Sequence, residues 1–144
     1  SGKPLLEEAR VIFETHRFHV YEQDCRRMMA RAERMMGDPA ASLVACRKLL
    51  ADPIDDVTMI WGTLLEAGYA LRDMGKLETT ARIMGVVESM WTTTARCVFG
   101  VESDEYQRVR AAIKSELGDE AFEAALTVGR RLDTQSWSRL LDSV

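Results

Sequence analysis

The chain reads as all-α, on three observations. Apolar residues recur at three- and four-residue spacing along most of its length, no segment alternates as a half-buried strand would, and Pro4, Pro39 and Pro53 all fall where a helix begins or a loop runs. Eight helices are expected, at about 4–15, 18–36, 39–51, 55–74, 77–91, 103–117, 119–131 and 134–142.

Taken in order, the first helix opens at Pro4, and His16 to Phe18 either break the chain or continue it into the second helix. That second helix carries an apolar stripe on Tyr21, Cys25, Met28, Ala32 and Met35. Gly37 ends it, and Pro39 starts a third helix whose inward residues are Leu43, Cys46, Leu49 and Leu50. The Met36-Gly37-Asp38-Pro39 turn is echoed by Met74-Gly75-Lys76-Leu77, a period of 38 residues from Gly37 to Gly75 and close to the roughly 34 of a tetratricopeptide unit. After Trp91 the stretch TTTARCVFGVES is expected to be a loop of about 12 residues. Beyond it, Tyr106, Val109, Ile113 and Leu117 form one stripe and Gly118 stops it. Asp119 is expected to cap the next helix, which buries Phe122, Ala125, Leu126 and Leu132. Asp133 or Thr134 then caps a last helix bearing Trp137, Leu140 and Leu141.

Composition narrows the classes. The chain has 144 residues, 47% apolar and 29% charged, enough for one domain with a core of its own. No apolar run approaches the roughly 20 residues that span a bilayer, and Ser1-Gly2-Lys3-Pro4 begins no signal peptide, so no membrane association and a cytoplasmic location are expected. Ser1-Gly2, without an initiating Met, reads as the scar of a cleaved tag. A net charge of -4 argues against a general nucleic-acid surface. Cys25, Cys46 and Cys97 are odd in number and far apart, as buried free thiols would be.

The run ETTARIMGVVESMW after Gly75 to Glu78, together with DEYQRVRAAIKSELGDEAFEAALTVGRRL, resembles the C-terminal end of the tetratricopeptide-like arm of large bacterial ATP-dependent transcriptional regulators of the LuxR and AfsR type, the MalT-like group. The resemblance implies antiparallel helix pairs in a right-handed α-α superhelix with a C-terminal helical cap. It divides the chain into a leading helix at 1–22, two divergent helix pairs at 23–91, and a loop with the cap at 92–144, all in one domain. Carrying the register over puts Leu64, Ala67, Gly68 and Leu71 inward on the first helix of the second pair, and Thr80, Met84 and Val87 inward on its partner. In the first pair the same register wants Arg26 and Glu33 inside, against the apolar stripe, so the facing of that helix stays open.

The implied function is a non-catalytic interaction or regulatory module. It would hold a protein, a peptide or another domain of its parent, with homodimerisation as a further expectation because two repeats are few for a continuous solenoid core. On the register, Arg27, Arg31 and Arg34 of the first pair and Leu65, Tyr69 and Arg72 of the second line the concave groove. Such a groove suits an acidic peptide or a terminal carboxylate, and reversing Arg31 to Glu is then expected to weaken that partner while moving stability by about 0.5 kcal/mol or less. The plainer alternative is a solvated face with local pairs, Asp24 to Arg27 and Arg34 to Asp38. Two further patterns carry little. His16, His19 and Glu22 have loose ligand spacing but no fourth donor, so no metal is expected. The outline of a helix-turn-helix in TTARIMGVVESMWTTTARC needs a break at Gly85 and offers one cation, Arg96, so no direct DNA binding is expected. No catalytic constellation or cofactor motif is present. The eight methionines are expected to fill the core rather than form an adaptable surface.

Overall fold

The computed structural model describes residues 2–15, 19–52, 57–94, 100–133 and 136–142. Every element among them is a helix: α1 (Lys3–Thr15), α2 (His19–Met35), α3 (Pro39–Ala51), α4 (Val57–Asp73), α5 (Leu77–Thr94), α6 (Gly100–Leu117), α7 (Asp119–Arg130) and α8 (Trp137–Asp142). The protein is all-α. It forms two compact units, Ser1–Met74 and Gly75–Val144, and the division separates the two helices that the repeat register pairs across Gly75. No described helix is long and apolar enough to cross a membrane.

In the first unit the turn at Gly37 follows from its backbone. With φ at 90° the glycine adopts a conformation that a Cβ would strain. Its N–H donates to the Arg34 carbonyl and that of Asp38 to the Glu33 carbonyl, closing a Schellman end on α2. Asp38 then caps α3, its Oδ1 accepting from the Ala41 N–H at 3.0 Å ahead of Pro39. This contact uses the carboxylate that the local-pair reading assigned to Arg34. Leu43, Cys46 and Leu49 are buried on α3, and Leu64, Ala67, Gly68 and Leu71 on α4. Thr63 hides its hydroxyl by donating to the Met59 carbonyl at 2.7 Å.

The second unit is built on a close crossing of α5 and α7. A Cβ at Gly129 would lie 1.9 Å from the Arg82 carbonyl oxygen, and one at Gly85 would lie 2.3 Å from that of Leu126. α5 runs through Gly85 without the break a helix-turn-helix requires, and it reaches Thr94; α6 starts at Gly100, so the expected 12-residue loop is shorter, with residues 95–99 outside the described set. Tyr106, Val109 and Ile113 of α6 and Phe122, Ala125 and Leu126 of α7 are buried as their spacing implied. The cap of α7 is Gly118, at φ 88° and with no side-chain bond, rather than Asp119. Asp119 sits inside the first turn, where its charge still favours the positive end of the helix. Asp133 does accept from the Ser136 N–H, at 2.8 Å, just before α8; Thr134 lies outside the described residues.

Candidate functional site

The face of α2 left open by the sequence is settled by its neighbours. α2 packs against α1, α3 and α4, and the side it turns to them is mostly charged. Ala30 is buried at its centre, and ion pairs join α2 to each neighbour around it. Glu33 pairs with Lys3 of α1, and Glu22 lies 4.0 Å from Arg10 of the same helix. Arg26 donates to Asp52 at the end of α3 at 2.6 Å. Arg31 and Arg34 both reach Glu66 of α4, each at 3.2 Å. Long arginine stems cover apolar surface while their heads stay paired, which lets a charged face pack.

These contacts place the arginine strip. Arg34 also lies over the Tyr69 ring, 5.1 Å from its centroid, and 3.9 Å from Asp73. Arg27 pairs with Asp24 at 3.1 Å, as the local reading anticipated, and its stem passes Gly62 so closely that a Cβ there would meet it at 3.3 Å. Arg27, Arg31, Arg34 and Tyr69 are thus together on the α2–α4 side. Leu65 is buried on the same helix as Tyr69, and Arg72 is half-buried. The residue the sequence reading missed is Glu66, 2% exposed and the shared acceptor of two arginines. Its only signal was an acid within the apolar run of α4, three residues before Tyr69.

With the charged side turned inward, the apolar stripe of α2 points out. Tyr21 is 59% exposed, Met28 37% and Met35 70%, and Cys25 and Ala32 between them are half-buried. Met36 and Met74 are exposed as well, so these methionines lie on the surface where a core was expected, while Met59 and Met84 are buried. α1 runs antiparallel to α2, as the Lys3–Glu33 and Arg10–Glu22 pairs require; its exposed Leu5 and Ile12 lie two residues past Lys3 and Arg10, on the side of α1 turned away from those pairs. The outcome is an amphipathic face whose spacing of four and three residues is that of a coiled-coil seam. Asp24 and Arg31 border it on the α4 side.

The remaining chemistry is sparse. A crevice of about 430 Å³ between α1, α2 and α3 is lined by Arg10, Glu22, Arg26, Met29, Ala45 and Lys48, but both arginines turn toward Glu22, and their other bonds go to Glu7 and Asp52. Burial pushes the Cys46 thiol up to about 12. Cys25 is raised by partial burial and by the neighbouring Asp24 and Glu22 charges. Neither thiol is thereby made a nucleophile. Among the described residues no cluster of His, Cys, Asp and Glu could hold a metal; His16 lies outside them. Compared with protein-family models, with curated proteins and with solved structures, the chain matches none.

Proposed function

We propose that this chain is a non-catalytic helical interaction module that docks another helix on the exposed apolar face of α2. The observation that carries the reading is the inverted polarity of α2, whose arginines and glutamates pack inward while Tyr21, Met28 and Met35 face solvent. Exposed apolar surface in a regular seam is recovered on docking at roughly 25 cal/mol per Å². An acidic peptide bound at Arg27, Arg31, Arg34, Leu65, Tyr69 and Arg72 would instead have to displace Glu66, a carboxylate already buried and bonded to Arg31 and Arg34. The apolar face therefore outranks the arginine strip as the docking surface.

The wider reading is that the module is a cytoplasmic, tetratricopeptide-like fragment of a bacterial LuxR-type transcriptional regulator. Support for it is the pair of glycine turns, Gly37 and Gly75, both at positive φ and each between two helices. A free-standing scaffold or dimerisation module, or an accessory domain of a signalling enzyme, would use the same face, and the flanking gene sequence separates the three: an ATPase upstream and a helix-turn-helix downstream belong to the regulator. Docking itself is tested by placing a photo-crosslinking amino acid at Met35, with the exposed Val128 of α7 as control. Crosslinks to polypeptide are expected at Met35 well above those at Val128; equal yields at the two positions would refute the reading.

A further inference from the structure

Resting on the docking reading above, we infer that the helix received by this face is α2 of a second copy, laid antiparallel. The seam and its border carry the argument. Tyr21, Cys25, Met28, Ala32 and Met35 follow one another at four, three, four and three residues, the a and d positions of a heptad, with Cys25 and Ala32 at a. Asp24 and Arg31 then occupy successive positions bordering the seam, opposite in sign and seven residues apart. Laying two such helices antiparallel with Cys25 opposite Met28 of the partner copy brings Asp24 of each beside Arg31 of the other, so the ion pair forms twice. A parallel pairing would set Asp24 and Arg31 against Met29 and Met36 and form no charge pair between the copies. The helix is therefore complementary to itself in one direction only, as a two-fold interface requires.

The existing contacts leave room for this. Asp24 Oδ1 accepts from Arg27, while its side chain remains half-exposed. Arg31 bonds Glu66 and its side chain keeps 27% exposure.

From Tyr21 to Met35 the seam is about 21 Å long at 1.5 Å per residue, and with the width of one helix, about 10 Å, it buries about 200 Å² per copy, a quarter of a standard interface. Weak association, seen only toward roughly millimolar protein, is the expectation for so small a contact.

Sedimentation equilibrium over a wide concentration range tests it. The mass should rise from 16.2 kDa toward twice that value. Met28→Glu, on the exposed face and outside the core, should weaken self-association at least about tenfold, roughly 1.4 kcal/mol, with an unchanged helical spectrum. In Met28→Cys, mild oxidation should link Cys25 of one copy to position 28 of the other, as peptide mapping would show. A mass that stays at 16.2 kDa throughout overturns the second copy as occupant. The docking reading would then stand or fall separately on whether the Met35 crosslink captures a different polypeptide. A dimer indifferent to Met28→Glu, or linked only from position 28 to position 28, overturns the antiparallel seam.

Discussion

Replacing Gly129 with Ala tests the architecture of the second unit most directly. The new Cβ would stand 1.9 Å from the Arg82 carbonyl oxygen and 2.8 Å from its carbon, both backbone atoms of α5 that no rotamer change can move. Relief to an ordinary contact of about 3.3 Å requires α5 and α7 to part by more than 1 Å, and a gap of that size forfeits a quarter to a half of the local dispersion well. Phe122 and Leu126, both 0% exposed on α7, are the large side chains that lose contact. At about 1.5 to 3 kcal/mol each for full burial, their loss is about 1 to 3 kcal/mol, and added backbone strain raises it. Against this stands a gain of up to about 1 kcal/mol from replacing a helical glycine with alanine. A net destabilisation of about 1 to 3 kcal/mol is expected, read by urea titration followed at 222 nm. Gly62→Ala is the internal control, because its Cβ meets only the flexible Arg27 side chain at 3.3 Å, so helix propensity should make it neutral or stabilising. If Gly129→Ala proves as harmless as Gly62→Ala, the close α5–α7 crossing is wrong.

Gly85→Ala meets the Leu126 carbonyl oxygen at 2.3 Å and should destabilise to a similar extent in the same assay. Glu66→Ala removes the carboxylate that Arg31 and Arg34 share and should cost about 2 to 4 kcal/mol in chemical denaturation, somewhat below a fully buried pair because both arginines reach water. Arg31→Glu, expected from sequence to be nearly silent, sets a second carboxylate against Glu66 and should destabilise by about 1 kcal/mol or more; a shift under 0.5 kcal/mol would show that the Arg31–Glu66 bond is not made. Cys46, whose thiol burial lifts to about 12, ionises first in the unfolded chain, so its contribution is complete below about pH 9 and is lost as pH rises from there toward 12; Cys46→Ala should flatten that part of the stability profile, and an unchanged slope would place the thiol in solvent.

Much of the helical layout was legible because its signals are local. Gly37, Gly75 and Gly118 mark turns through a backbone angle that only their own identity decides, and all three lie at positive φ. The inward residues of α3, α4, α6 and α7 could be read because each of those helices has a single apolar stripe that is also its packed one. α2 is different. Its stripe is as regular as the others, and whether it faces the chain's own core or a partner depends on Glu66, Asp52 and Lys3, residues 17 or more positions away with no pattern linking them to it. The α5–α7 crossing was missed for a related reason. A buried helical glycine was read as a packing residue at Gly68, but Gly85 was read only as lying within a continuous helix and Gly129 suggested nothing, since each position explains itself only when the other helix is laid across it.

Both units solve the same problem in the same way. In the first, Glu66 gathers Arg31 and Arg34, and Arg34 lies 5.1 Å over Tyr69; in the second, Glu88 gathers Arg110 at 2.9 Å and Arg130 at 3.3 Å, and Arg110 lies 5.0 Å over Phe122. One carboxylate thus ties helices together through two guanidinium groups, one of which also covers an aromatic face. Such networks add little net stability compared with apolar packing, but they penalise every helix rotation that leaves the acid unpaired. Glu66 therefore fixes the rotation of α2 about its own axis. Turning α2 to bury Tyr21, Met28 and Met35 would carry Arg31 and Arg34 away from a carboxylate that is 2% exposed, and that cost holds the apolar stripe in solvent.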